Sequence, residues 1–388
     1  MKSDSLNDTP HPSDRVKEKL ETLRQSIDAI DEKIVSLIAE RQQVVDRVVS
    51  LKKKNNLPVY HPAREEDLIS MRRHQGREIG VDPDYVEELY RIIIHRSRLE
   101  QTRVMAEKGV CQDGKILIIG GKGGMGRYFH ECFSQAGYDV RIIDKDNWED
   151  FGWLSAGVDL VMVCVPIDVT GEVIQRIGPS LPAGAVLCDI TSIKEKPLEE
   201  MMNAYPGPVI GLHPLFGPST SSLNKQIIVA TPGRNDAACQ WLLDQFIIWG
   251  SIIIRSDARE HDEIMGIVQS LRHFATFTFG RFMEKKHISL SKTLEFSSPI
   301  YRLEIGMVGR LFAQDPSLYS EIIFASPQRR ALLKEYIASL NETVSMLENG
   351  DKDFFQSEFL KIADWFGPFS EQAMRESTFL IDKLIERF

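Results

Sequence analysis

The sequence predicts three modules in series: an all-helical one, a doubly wound α/β one, and a second helical one. Three observations predict it. Apolar residues recur at helical spacing over residues 20–54 and 83–105. From Lys115, short β-rich runs alternate with helical patterns. From about Glu260 the strand signals stop, and the rest is helical and aromatic-rich. A chain of 388 residues has room for two or three domains of about 100–200 residues each. The expected boundaries are a polar, disordered tail over 1–15, the first helical module over 16–108, a linker over 109–114, the α/β module over 115–258 and the last module over 259–388.

The charge pattern marks the same division. Residues 1–108 hold 20 basic and 20 acidic side chains, so residues 109–388 (27 basic, 36 acidic) carry the whole net charge of −9. That sign argues against nucleic acid as the main partner. At 43% hydrophobic and 27% charged, the composition is that of a soluble globular protein. Apolar runs such as Leu160–Ile167 are far shorter than the ~18–20 residues of a membrane helix. The first residues are polar, without the apolar core of a secretory signal. Five scattered cysteines form no C-x-x-C pair, which fits a reducing cytoplasm and leaves no metal-ligand set to expect.

The first helix carries a face interrupted by charge. With Ile34 at zero and about 100° per residue, Leu23, Ile27, Ile30, Leu37, Ile38, Val45 and Val48 fall within roughly 60° of it. Arg41 and Lys52 fall in the middle of this apolar face. Unpaired burial of two cations is costly, so they either reach the surface or line an anion pocket. Arg24 lies at the stripe's edge, 17 residues before Arg41, or about 25 Å along one helix. It would have to serve a pocket on another subunit. A break at Asn55–Pro58 follows. Pro62, Arg64 and Glu65 open a second helix, with the proline and acid that helix N-termini favour. Asp82-Pro83 opens a third, on which Ser97 and Gln101 share a face.

In the α/β module, the strand Lys115–Ile119 runs into Gly121-Lys122-Gly123-Gly124-Met125-Gly126, a G-x-G-x-x-G motif before a helix. The next strand, Asp139–Asp144, ends in an acid 23 residues after Gly121. That context makes it a Rossmann-type dinucleotide site, and the acid at Asp144 favours NAD over NADP. Further strands are expected over Asp159–Val165, Ala185–Asp189, Val209–Leu212, Gln226–Ala230 and Ser251–Arg255. Ligands bind such sheets at the strands' carboxyl ends. Pro166, Ser192 and a loop histidine, His213, stand there. In the last module, Gly306 and Gly309 predict close helix packing. Arg310, among apolar neighbours, calls for a carboxylate partner in the protein or the substrate. Such a domain completes a substrate site and a dimer interface.

Arg24, Arg41, Lys52, Arg64-Glu65, Ser97 and Gln101, with Leu20-x-x-Leu23-Arg24-x-x-Ile27-Asp28-x-x-Asp31, resemble the all-helical chorismate mutase family over about residues 16–105. The resemblance implies an intertwined dimer with Arg24 supplied by the second chain. Arg24 and Arg41 would clamp the substrate's carboxylates, and Lys52 and Gln101 would donate to its ether oxygen. Arg64 and Glu65 would address the ring hydroxyl and pocket wall. His61 departs from the aspartate of some members. Residues 115–388 resemble prephenate dehydrogenase, through G-L-H-P-x-F-G-P, S-L-R-H-F and S-S-P-I-Y-R-L-E…V-G-R-L-F-A-Q-D-P. Together the modules resemble the bifunctional chorismate mutase/prephenate dehydrogenase family of tyrosine biosynthesis. By that resemblance His213 takes the proton of the 4-hydroxyl, and Ser192 bonds that hydroxyl or orients His213. Arg310 binds a carboxylate, and His273 lines the pocket. Gly121, Gly123, Met125, Gly126, Asp144 and Pro166 hold NAD. Lys194, Arg302 and His261 are further candidates that a structural role explains equally. Members are often inhibited by tyrosine. Two other readings stay open: an arogenate-preferring dehydrogenase with a helical dimerisation or regulatory module, and a general 2-hydroxyacid or 6-phosphogluconate-type dehydrogenase.

Overall fold

Proline and an acid start the helices of the first module where the sequence places them. A computed structural model describes residues 12–111 and 113–385. Helix α1 runs Pro12–Asn55, α2 Pro62–Glu78 and α3 Pro83–Ala106. Of the tail expected over 1–15, residues 12–15 are helical, and residues 1–11 lie outside those described. At α2 the cap is His61, whose Nδ1 accepts from the Arg64 amide at 3.2 Å. At α3 it is Asp82, which accepts from the Asp84 amide at 2.8 Å. Most of the apolar stripe of α1 stays exposed in the single chain, Leu23, Ile27, Ile30, Leu37 and Ile38 included. Val49, near its end, is buried with Val59, Met105 and Ile248, where the helices meet the next domain.

That domain is a seven-stranded sheet in the order β2-β1-β3-β4-β5-β6-β7. Its strands are β1 (Lys115–Ile119), β2 (Asp139–Ile143), β3 (Leu160–Val163), β4 (Val186–Asp189), β5 (Val209–Pro214), β6 (Ile227–Arg234) and β7 (Ile252–Arg255). All neighbours are parallel except β5 and β6. Alternation in β1 feeds two cores. Ile116 and Ile118 pack with Phe129 and Phe133 of α4 (Gly124–Gln135). Leu117 and Ile119 face the other way. Their core includes Leu154 of α5 (Phe151–Leu154), Ile174 and Ile177 of α6 (Ile167–Ile177), and Leu198 and Met201 of α7 (Glu195–Ala204). Helix α8 (Asp236–Ile248) adds Leu242 and Phe246 to the first core. The segment after α3 is firmly packed: the Val110 amide donates to Gln245 Oε1 at 2.8 Å and to the Tyr138 hydroxyl at 3.0 Å.

The remainder is helical: α9 (Ala258–Met265), a π-helical turn at Gly266–Leu271, α10 (Arg272–Lys285), α11 (Leu290–Glu295), α12 (Pro299–Phe312), α13 (Pro316–Phe324), α14 (Pro327–Asn349), α15 (Lys352–Phe366) and α16 (Pro368–Ile385). The glycine at which α10 and α12 come close is not the expected one. A Cβ on Gly280 would meet the Phe312 ring at 2.3 Å, whereas Gly306 and Gly309 face open space within the chain. No described helix is long and apolar enough to cross a membrane.

Lys194 joins the sheet to the last module. Its buried ammonium is paired with the equally buried Asp189 at the end of β4, and donates to Leu212 O on β5 at 2.7 Å. Burial lowers its pKa, and Asp189 opposes that. Lys194→Met leaves Asp189 a buried charge without its counterion, a loss of about 3–5 kcal/mol. Thermal unfolding of the variant should show this, with partial recovery in the Lys194→Met/Asp189→Asn double variant. Equal stability of wild type and single variant would show that the pair holds nothing.

Candidate active sites

The helical module brings cations and amides together at one place. Arg41 Nη1 on α1 donates to Ser97 Oγ on α3 at 2.6 Å, and Ser97 donates to Ile93 O at 2.8 Å. Lys52 Nζ donates to Val59 O at 2.9 Å. Burial lowers the Lys52 pKa, and the nearby Glu65 carboxylate opposes that. Gln101, one turn after Ser97, has a buried Oε1 without a partner. The part-buried cations Arg41 and Lys52 suit an anion, while the orphaned Gln101 oxygen calls for a donor.

Two expected members stand apart. Arg24 is exposed and paired with Glu21 at 3.7 Å. The continuous α1 keeps it about 25 Å from Arg41. Arg64 is also exposed, and its amide serves the helix cap. The arginine that meets Glu65 is Arg98 of α3, which is buried. His61, in place of an acid, is accounted for as the cap of α2.

The glycine loop fits a dinucleotide. A Cβ on Gly126 would lie 2.2 Å from Gly120 O, and one on Gly121 would lie 2.5 Å from Ile142 Cγ2. A Cβ on Gly123 would be 3.2 Å from Gly120 O. The bare backbone thus turns tightly into the N-terminus of α4, a ready site for pyrophosphate. Gly120 also abuts Cys164 O at the end of β3, next to the exposed Pro166 that starts α6. Met125 packs on the core beneath the loop. Asp144 Oδ2 accepts from the Lys122 amide at 3.0 Å, so its carboxylate sits against the loop.

The histidine site is a chain of bonds. His213 is not on a loop. β5 continues through it because the antiparallel partner β6 pairs His213 with Val229. Its side chain is 2% exposed. Asp262 accepts from the Lys194 amide at 2.8 Å, from the Glu195 amide at 3.1 Å, and from His261 Nδ1 at 2.8 Å. Burial raises its pKa, but the bonds from His261, Glu195 and Lys194 outweigh this and hold it below the usual carboxylate range. An ionised Asp262 only accepts, so the His261 proton is on Nδ1 and its Nε2 accepts. His213 Nδ1 therefore donates to His261 Nε2, at 2.8 Å, and His213 Nε2 keeps its lone pair. Gln269 Nε2, on the π-helical turn, donates to that lone pair at 3.2 Å. Burial, then electrostatic coupling to His261, Lys194 and Arg329, push the His213 pKa well below its ordinary value.

His261 and Gln269, then, hold the His213 ring. Ser192 lies half-buried on the segment between Asp189 and Lys194. His273 is buried four residues after Gln269, edge-on to Tyr319 at 4.7 Å. Burial and then Arg272 lower its pKa to about 4. Arg310 is exposed on α12, so burial does not demand a carboxylate for it. Lys194 is structural, and Arg302 Nη2 donates to Leu294 O at 2.7 Å. Asp262, Gln269 and Arg98 carry no signal in the sequence; a cleft of about 610 Å³ between α3 and α4 is lined by Thr102, Tyr128 and Pro218 among others.

An anion pocket on a helical module, followed by a dinucleotide loop and a buried histidine base, defines a fused two-site enzyme with one dehydrogenase centre. Comparison with known proteins makes this specific. Residues 23–102 match chorismate mutase type II, 129–248 the prephenate dehydrogenase nucleotide-binding domain, and 257–362 its dimerization domain. The chain is 40% identical to the T-protein of Enterobacter agglomerans, over 94% of this chain and 97% of that one. It is 37% identical to the T-protein of Haemophilus influenzae over the same shares, 94% and 97%. In fold it is similar to prephenate dehydrogenase of A. aeolicus, solved with hydroxyphenyl propionate and NAD⁺ (TM-score 0.53, 18% identity, 66% of this chain and 98% of that one). The chain belongs to the T-protein family, the bifunctional chorismate mutase/prephenate dehydrogenases of tyrosine biosynthesis. The mutase match removes the reading of the helical module as regulatory alone.

The place of Asp144 against the loop generates a prediction. Asp144→Ala should raise the KM for NAD⁺ and relax discrimination against NADP⁺, since a ribose acceptor and a like-charge repulsion are both lost. Steady-state kinetics with the two cofactors checks this; a wild type that uses NADP⁺ as well as NAD⁺ would refute the role.

Proposed function

We propose that the pocket of Arg41, Lys52, Glu65, Ser97 and Gln101 rearranges chorismate to prephenate. The observation that carries it is the bond from Arg41 to Ser97, one turn before Gln101, with Lys52 within the field of Glu65. The rearrangement needs no nucleophile. The pocket must fold a dicarboxylate into reactive shape and stabilise charge growing on its ether oxygen. Arg41 holds one carboxylate, and Arg24 of a second chain reaches the other. Lys52 and Gln101 donate to the ether oxygen, and Glu65 accepts from the ring hydroxyl. The exposed stripe of α1 and the dimerization-domain match support a homodimer.

At the second site, the 4-hydroxyl of prephenate takes the place that the Gln269 amide holds at His213 Nε2. His213 accepts its proton, while Ser192 bonds the hydroxyl. Asp262, through His261, keeps the ring in the accepting tautomer. Arg310 binds a substrate carboxylate, and His273 lines the pocket. Bound NAD at the glycine loop and Asp144 supplies the hydride acceptor, and the products are 4-hydroxyphenylpyruvate, CO₂ and NADH. Free cysteines throughout the described chain support a cytoplasmic setting. Feedback by tyrosine, which resembles the product, is part of the same reading.

Purified protein given chorismate should accumulate prephenate without NAD⁺, and yield 4-hydroxyphenylpyruvate and NADH with it. Unconsumed chorismate would sink the mutase assignment; prephenate that is never oxidised would sink the other. Lys52→Ala should abolish the first step and leave oxidation of supplied prephenate intact. His213→Asn should cut dehydrogenase kcat by ~10²–10⁴ with a smaller change in KM. Because the His213 pKa is lowered, its basic form persists below pH 6.5, and wild-type kcat/KM should fall only at still lower pH. The Asn variant should lose that limb; retention of both turnover and limb would place the base elsewhere.

A further inference from the structure

The turn leading into β6 touches the wall of the mutase pocket. Leu223 and Asn224 are buried, and Asn224 Nδ2 donates at 3.1 Å to Thr102 Oγ1, the residue after Gln101. Lys225 follows in the left-handed conformation, φ 57°, with its amide donating to Gly250 O at 2.8 Å. Gly250 is itself left-handed, and a Cβ there would lie 3.3 Å from Asn224 Cα. The turn is thus fixed by its own domain, in a backbone shape that side chains rarely adopt. That shape aims Lys225 at the helical module. Its Nζ lies 4.7 Å from the Tyr60 ring centroid and 3.8 Å from Glu65 Oε2.

Glu65 is therefore flanked by two cations from different domains, Arg98 of α3 and Lys225 of the turn. Both meet the same oxygen, Oε2. That leaves Oε1 as the oxygen able to accept from a ligand's hydroxyl.

We propose that Lys225, a residue of the dehydrogenase domain, is a positioning residue of the mutase: with Arg98 it fixes the Glu65 carboxylate, so that one domain finishes the other's substrate pocket. The proposal rests on the role given to Glu65 above. A hydroxyl contact made in ground and transition states alike shows in KM more than in kcat. Lys225 is partly exposed, and ion pairs of that kind are worth about 1.4–5-fold in an equilibrium.

The test uses the full-length protein with Lys225→Met, Lys225→Arg and Lys225→Glu, each alone and with Glu65→Gln. Mutase kinetics are read without NAD⁺, and oxidation of supplied prephenate reports the integrity of the fold. In Lys225→Met the KM for chorismate should rise about 2–5-fold, with kcat within about 2-fold. Lys225→Arg should restore it, and Lys225→Glu should raise it further, because a like charge then faces Glu65. In the Glu65→Gln background the Lys225 substitutions should add little. Met and Glu variants with wild-type KM, beside a Glu65→Gln variant with raised KM, would overturn the role of Lys225 alone. A Glu65→Gln variant with unchanged KM would overturn both roles. Effects of Lys225 that simply add to those of Glu65→Gln would show that it does not act through Glu65.

Discussion

Lys194 sits without solvent contact between the ends of β4 and β5, and three bonds leave it. The ammonium binds Asp189 and Leu212 O, and the backbone amide binds Asp262. Asp262 in turn holds His261, and His261 holds His213. The His213 ring is therefore the last member of a series that begins at a buried ion pair in the sheet. The same ammonium, close enough to be felt, helps to keep His213 unprotonated. One residue thus contributes twice: its amide helps to set the direction of the ring, and its ammonium adds to the burial that keeps the ring neutral. A carboxylate two bonds away can orient the ring without becoming a proton acceptor, because its own oxygens are already committed to amides and to His261.

The helical module solves the opposite problem. Its cations must stay charged and be reached by a dicarboxylate. Arg41 and Lys52 lie where α1, α3 and the Val59 segment meet, so each finds an oxygen, yet neither is enclosed. Arg24 belongs to a stretch of α1 whose apolar neighbours have no cover in the single chain. The exposed apolar stripe and the distant arginine are then one fact: a second chain that covers the first would also receive the second.

What the sequence could show followed from backbone rules. Glycine spacing reflects a backbone so close that an added Cβ would lie 2.2–3.2 Å from its neighbours, so the loop from Gly121 to Gly126 was legible. The starts at Pro62 and Asp82-Pro83 were legible for a similar reason, and the cations on the α1 stripe stood out against its period. What depended on tertiary burial was not. Asp262 is an ordinary helical acid until α9 packs beside Lys194. Arg98 reads as a surface arginine until α2 brings Glu65 to it. Arg64 adjoins Glu65 in sequence, but one step along a helix turns it about 100° away. Arg310 has apolar neighbours, yet the chain alone leaves it exposed. His213 looked like a loop residue because the length of β5 is set by β6, a strand that only the fold identifies as antiparallel.

The contact between the modules also bears on why they share a chain. The cleft between them is lined by Glu100 and Glu131 as well as Arg103, a mixed wall that gives a dicarboxylate little electrostatic guidance. The buried contacts are the packing of Met105 against Ile248 and the bond from Asn224 to Thr102, the latter at the cleft's edge. Both fall on the C-terminal turns of α3, the helix that presents Ser97, Arg98 and Gln101 to the mutase pocket. A helix end is where fraying is greatest, and Gln101 is only five residues from the end of α3. Anchoring that end on a rigid α/β domain holds the pocket's amide in place, a benefit the mutase draws from the fusion even if prephenate crosses through solvent.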